Sequence, residues 1–194
     1  MSLTNRDIII RTPHARYARE LMEGKFFEGN WQLCVAAPLA GLLARQRQAL
    51  PAAGPEPAGA ARPPAEDPDD FRVPARHLAA HKDEILFNLR LILLCDRAYE
   101  PADDLRIRRA FDYADPDDAA ATPPQLREQL QQDEQLYMDC MLLGLEVLHR
   151  ELIGAGRDRG ENIAHYIGAL MHQEPDRSLA EEIGLVLPGS SEHG

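Results

Sequence analysis

Two acid–histidine pairs in the sequence have a spacing at which both side chains project from one face of a helix. Glu146 precedes His149 by three residues, and the same interval separates His81 from Glu84 in the opposite order. A di-metal site inside a helical bundle needs two Glu-x-x-His pairs and further carboxylates from other helices, and no second pair in that order is present. We therefore expect no metal and no organic cofactor. We also expect His149 to lie at the surface, with Glu146 and Arg150 forming an ion pair one turn apart.

A second arrangement combines an arginine with two histidines. Arg76 is followed directly by His77, and His81 comes about one and a half helical turns after Arg76. The arrangement resembles the R-x(4–6)-H signature of the HEPN helical-bundle superfamily, in whose nucleases a polar residue often follows the arginine. The resemblance implies metal-independent RNA cleavage by two such motifs that meet across a dimer interface. It further implies that the histidine takes part in proton transfer and that the arginine acts on the phosphate.

A partial second match to the same signature occurs near the C-terminus. Arg159 and His165 have the required order, but Gly160 stands where the polar residue is expected. For both matches the competing interpretation is a set of ordinary exposed residues near a helix N-terminus, since the signature fixes only two residues with loose spacing. Under the nuclease hypothesis the candidate catalytic residues are Arg76, His77 and His81.

The densest cationic cluster is formed by Arg106, Arg108 and Arg109. Four aspartates flank it and cancel much of its field: Asp103, Asp104, Asp112 and Asp115. We interpret the cluster as a solvated helix face whose charges pair with one another.

Composition excludes several classes of function. The formal net charge of −11 makes nucleic acid an unlikely partner, because affinity for phosphates depends on lysine and arginine. The phosphate-binding glycine motifs and the nucleophile elbow are absent. Three widely spaced cysteines without a C-x-x-C pair predict reduced, buried thiols. No signal peptide or membrane-length apolar stretch is present, so we expect a cytoplasmic protein that binds no membrane.

The fold class expected from the helical periodicity is all-α: a multi-helix bundle. A disordered linker rich in Pro, Ala and Gly is predicted at residues 51–72, between an N-terminal helical hairpin (residues 1–50) and the main bundle (73–188). Residues 189–194 are predicted to be a disordered tail. In the main bundle, one helix is expected from Ala75 to Arg97 and a long helix from a cap at Thr122 to about Ile153. Two apolar stripes predict that the long helix is central in its C-terminal half.

The absence of catalytic motifs favours a non-enzymatic function: an interaction, adaptor or regulatory subunit of a larger cytoplasmic assembly. Its partner would be a protein, and the negative charge favours a basic one. The sequence is also compatible with a homodimer. The first alternative is the HEPN-like ribonuclease or an inactive relative, and the second is a metal- or ligand-binding bundle.

Overall fold

The computed structural model describes residues 3–48, 69–111 and 124–171. Helices dominate these residues and sheet is scarce, which confirms the predicted all-α class. Residues 51–68 of the predicted linker, the predicted cap at Thr122 and the predicted tail lie outside the described residues. Within the described part, no helix is both long and apolar enough to span a bilayer.

Seven helices and two short strands make up the described part of the chain. In order they are β1 (Ile8–Ile10), α1 (His14–Glu23), α2 (Asn30–Gln48), β2 (Phe71–Val73), α3 (Ala75–Ala80), α4 (Lys82–Cys95), α5 (Asp103–Phe111), α6 (Pro124–Leu152) and α7 (Arg159–Met171). The chain divides into two compact units between Gly156 and Arg157, so that α7 belongs to a different unit from the other helices.

The two strands form an antiparallel ribbon that the sequence analysis does not anticipate. Ile8 pairs with Val73 and Ile10 with Phe71. Three consecutive β-branched isoleucines favour an extended backbone, and Ile8 and Ile10 place their side chains in the core. The ribbon holds the residues before α1 beside the residues before α3. Phe71 and Arg72, which are predicted to belong to the linker, are part of strand β2 instead.

Helix α6 is the central element of the first unit, and α1, α2 and α4 pack against it. The two predicted apolar stripes are buried, except that Leu143 is partly exposed and the side chain of Leu126 lies outside the described residues. This confirms the prediction of a central helix. All three cysteines are free. Cys34 and Cys140 are buried as predicted, which raises the pKa of their thiols to about 12, whereas Cys95 is only partly buried.

Helices α2 and α6 cross with their backbones in contact. A Cβ atom at Gly41 would lie 1.8 Å from the carbonyl oxygen of Cys140, and one at Gly144 would lie 1.7 Å from that of Ala37. Glycine in a helix interior costs about 1 kcal/mol relative to alanine. Here it is required, because any side chain at either position would force the two helices apart.

Pro38 lies inside α2 close to this crossing. Because proline has no N–H, the carbonyl oxygen of Cys34 has no helical partner four residues later. The hydroxyl of the buried Tyr137 on α6 donates a hydrogen bond to that oxygen. The next carbonyl, that of Val35, accepts a hydrogen bond of 2.8 Å from the buried Asn88 amide on α4. Polar side chains from two other helices thus satisfy backbone groups at the proline site.

We expect the Tyr137 hydroxyl and Pro38 to be energetically coupled. Tyr137→Phe leaves a buried carbonyl without a donor, which costs about 1–3 kcal/mol. In a Pro38→Ala background the new amide can bond to the Cys34 carbonyl, so the same substitution should cost less than half as much. Urea unfolding of the four proteins measures this coupling. Tyr99→Phe, whose hydroxyl bonds elsewhere, should cost the same in both backgrounds, and equal costs for Tyr137→Phe would contradict the assignment.

Candidate functional site

Helix α3 carries Arg76 and His77, and its N-terminus is held by a residue far away in the sequence. The Asp7 carboxylate accepts a hydrogen bond of 2.7 Å from the Ala75 amide and one of 2.6 Å from the Arg72 guanidinium. Both hydrogen bonds lower the pKa of Asp7, and the bond from the Ala75 amide has the larger effect. The carboxylate therefore caps α3 from the β1 side of the ribbon, which fixes where Arg76 and His77 project.

His81 stands at a break between two helices. Its backbone (φ −123°, ψ 33°) leaves the helical region, so the single helix predicted from Ala75 to Arg97 is wrong at this residue and is split into α3 and α4. The imidazole of His81 stacks on the indole of Trp31 at the start of α2, with ring centroids 3.6 Å apart and an interplanar angle of 8°. His81 is thereby oriented by a ring contact and by Glu84, whose carboxylate lies 3.5 Å from Nδ1.

The structure brings the three candidate catalytic residues to one surface. His77 and His81 line an open cleft of about 350 Å³, which we call the imidazole cleft. The other main lining residues are Glu28, Asn30, Trp31 and Ala80. Arg76 is exposed, and its Nε lies 3.4 Å from Nε2 of His77. Imidazoles that line a cleft can exchange protons with a bound molecule, and the neighbouring guanidinium can contact an anion.

Glu146 and His149 both form ion pairs with residues of α1, which the sequence does not predict. Glu146 pairs with His14 of α1 at 2.7 Å, and His149 pairs with Glu20 of α1 at 2.5 Å. Between the two pairs, the ring of Tyr17 stacks on that of His149 with centroids 4.4 Å apart. The cluster joins α1 to α6.

The structure also bears on the predicted partner of Arg150 and on the residues that could bind a metal ion. The expected ion pair between Glu146 and Arg150 is wrong, since Arg150 pairs with its neighbour Glu151 at 2.9 Å. In the described residues no three His, Cys, Asp or Glu side chains are grouped as metal ligands would be. Arg159 and His165, the partial second match, both lie on α7 in the other unit.

The prediction of a solvated arginine cluster on α5 is wrong for Arg106 and Arg109, whereas Arg108 is exposed. Arg106 is only 5% exposed. Its guanidinium donates hydrogen bonds of 3.0–3.1 Å to the carbonyls of Leu94, Glu100 and Pro101, and another to the Asp103 carboxylate. A charge is tolerated in this buried position because four acceptors surround it. Arg106 thus fastens α5 to the end of α4.

Arg109 makes a second buried network on the same helix. Its guanidinium lies 3.0 Å from the Asp133 carboxylate of α6, 3.1 Å from the Tyr99 hydroxyl and 3.6 Å from the Glu100 carboxylate. The Tyr99 hydroxyl also donates to Asp133 at 3.0 Å, and the guanidinium lies over the Tyr99 ring. Burial raises the pKa of Asp133, an effect that Arg109 opposes. The network fastens α5 to α6.

Three large apolar side chains of α5 are exposed, and two of them, Ile107 and Phe111, point away from Arg106 and Arg109. Leu105 is 43% exposed, Ile107 51% and Phe111 67%. Ile107 and Phe111 are four residues apart and therefore neighbours on the helix surface. Helix α5 thus turns Arg106 and Arg109 inward, while Ile107 and Phe111 face solvent beside the exposed Asp104 and Arg108. We call Ile107 and Phe111 the α5 apolar face; Leu105 lies on the side of Arg109, four residues later.

A second open cleft lies between α5 and α6 and has a volume of about 420 Å³. It is lined by Glu100, Leu105, Arg109, Glu128, Gln129 and Gln132, and we call it the acidic cleft. Leu105 and Arg109, which are four residues apart, line the α5 side of this cleft.

Comparison of the chain with protein-family models, with curated proteins and with solved structures finds no match in any of the three.

Proposed function

We propose that this chain is a non-enzymatic interaction module, an adaptor or regulatory subunit of a cytoplasmic assembly, that binds a protein partner through the α5 apolar face. The observation that carries the proposal is the orientation of α5, in which Arg106 is buried while Ile107 and Phe111 face solvent. Exposed apolar side chains scattered singly need no explanation, but neighbouring ones on one helix are typical of a docking surface.

The energetics favour binding at this face. Complete burial of an isoleucine or phenylalanine side chain contributes about 1.5–3 kcal/mol each. The buried networks of Arg106 and Arg109 hold α5 against α4 and α6 before any partner arrives. Because α5 is already ordered, binding costs little conformational entropy of the helix. More of the free energy gained by burying apolar surface therefore contributes to affinity.

The charge of the chain favours a partner over a second copy of itself. Each copy carries a formal net charge of −11, so two copies repel each other at long range. A basic partner is attracted by the same charge. We therefore propose a different protein with apolar side chains and positive charge at its contact surface.

Substitution of the α5 apolar face should abolish partner binding without unfolding the chain. The test protein is the double variant Ile107→Gln with Phe111→Gln. A partner captured from the native host by the unaltered chain is purified, and its Kd is measured by calorimetry. We expect the double variant to bind at least about tenfold more weakly, since two buried anchors are lost.

Phe87→Gln on α4 is the matched control, because Phe87 is 63% exposed but lies on a different helix. This control should keep full affinity. Equal affinity of the double variant and the unaltered chain would overturn the proposal. So would a dimer, detected by light scattering, that dissociates in the double variant, since the occupant of the face would then be a second copy.

A second candidate function is HEPN-like RNA cleavage at the imidazole cleft. The observation in its favour is that His77 and His81 line one cleft, with Arg76 beside it. The indole of Trp31 in the same cleft offers an aromatic surface of the kind that stacks on unpaired bases.

This candidate predicts cleavage of single-stranded RNA by the purified chain in the presence of EDTA. Arg76→Ala and His81→Ala should each lower the rate by about 10²–10⁴-fold, because each removes a group acting at the scissile phosphate. Arg90→Ala, an exposed arginine on α4 that belongs to neither match, is the matched control and should leave the rate unchanged. Absence of cleavage, or cleavage that survives both substitutions, would contradict the candidate function.

A further inference from the structure

The contacts that hold α5 in place leave two of its charged side chains unused. Three charged residues of the helix have ion-pair partners: Asp103, Arg106 and Arg109. Asp104 and Arg108 are exposed, and neither forms an ion pair with any residue that the structure describes. A partner that docks on α5 therefore meets these two charges unpaired.

Both charges belong to the same stripe of the helix surface as the α5 apolar face. From the N-terminal end, the stripe consists of Asp104, Ile107, Arg108 and Phe111. These are the i, i+3, i+4 and i+7 positions, which lie along one side of an α-helix. A stripe with this spacing is the surface that a second helix covers when it packs lengthwise on the first.

The two charges can select a partner without supplying most of its affinity. Asp104 lies three residues from Ile107, and Arg108 lies three residues from Phe111, so each charge borders one of the apolar anchors. Charges at the edge of an apolar contact contribute modestly to affinity, whereas like charges placed opposite one another are costly. The partner must therefore present a base near Asp104 and an acid near Arg108.

The order of the two charges separates the two directions in which a helical segment could run along α5. In an antiparallel segment, the residue that meets Asp104 comes four positions after the one that meets Arg108. Such a segment carries its acid first and its base four residues later. This order is the more favourable one within a helix and with respect to the helix dipole. A parallel segment would need the less favourable order.

A second copy of α5 cannot match the whole stripe. Two antiparallel copies bring Asp104 opposite Arg108 only if their two-fold axis lies level with residue 106. Bringing Ile107 opposite Phe111 requires the axis to lie level with residue 109. These two positions are about 4.5 Å apart along the helix, so a symmetric pair satisfies either the charges or the apolar residues.

We propose that α5 binds an antiparallel helical segment of a different protein, with the pattern apolar-x-x-acid-apolar-x-x-base. Its apolar residues cover Phe111 and Ile107 in turn. Its acid meets Arg108, and its base meets Asp104. This inference rests on the proposed function and adds the direction and the charge order of the partner.

Selection from a displayed library of helical peptides tests the inference with the intact chain as the target. Peptides that bind the double variant Ile107→Gln with Phe111→Gln as tightly as the unaltered chain are discarded. We expect the retained peptides to carry an acid four residues before a base. Their Kd for the exchanged chain, Asp104→Arg with Arg108→Asp, should rise at least about tenfold, because each charge then faces one of its own sign.

A retained peptide whose own acid and base are exchanged should bind the exchanged chain with the original Kd to within about twofold. Loss of folding in the exchanged chain could not produce this recovery. The matched control is Asp83→Arg with Arg90→Asp on α4, which exchanges an exposed acid and an exposed base on either side of Phe87. It also preserves the net charge, and it should leave the Kd within about twofold.

Retained peptides that lack the acid-before-base order would overturn the inference and leave the docking face standing. Equally tight binding of the retained peptides to the unaltered and the exchanged chain would do the same. If no peptide depends on Ile107 and Phe111, the proposed function fails, and the inference fails with it.

Discussion

The crossing of α2 and α6 is the contact on which the rest of the first unit depends. Gly41 and Gly144 allow the two backbones to touch, and the contact leaves no room for a side chain at either position. Pro38 lies at the same place and frees the Cys34 carbonyl, to which the Tyr137 hydroxyl of α6 donates. A close crossing with a specific hydrogen bond fixes the two helices in rotation as well as in distance, whereas apolar packing alone tolerates rearrangement. The other helices of this unit are arranged around that pair.

Ion pairs with α6 hold several other segments of this unit against it. The Asp133 carboxylate holds Arg109 of α5, Glu134 holds Arg6 before β1, and His149 holds Glu20 of α1. Ion pairs of this kind add little to stability relative to apolar packing, but their geometry permits few alternative arrangements. On α5, Arg106 and Arg109 occupy the inward side, and Ile107 and Phe111 are exposed to solvent.

The sequence predicts the helices well because each is bounded by local signals and carries helical periodicity. The two stripes of α6 even predict its central position. What the sequence does not predict depends on partners distant along the chain. Arg106 and Arg109 look like solvated charges until Asp133 and the carbonyls before α5 are placed beside them. His14 and Glu146 are 132 residues apart, and neither residue alone indicates the other. In the candidate site, His77 and His81 can be recognised in the sequence as part of a motif. The cleft they line cannot be, because it also depends on Trp31 from another helix.

Helix α5 has Arg106 and Arg109 on its inward side and Ile107 and Phe111 exposed, and the free energy of unfolding in urea tests this orientation without any partner. Replacement of two exposed apolar residues, Ile107→Gln with Phe111→Gln, should change that free energy by less than about 0.5 kcal/mol. Arg106→Met keeps the apolar stem but removes the donor to four acceptors, and should cost about 2 kcal/mol or more. A large loss for the glutamine pair together with a negligible loss for Arg106→Met would show that α5 faces the other way, and the docking face would not exist.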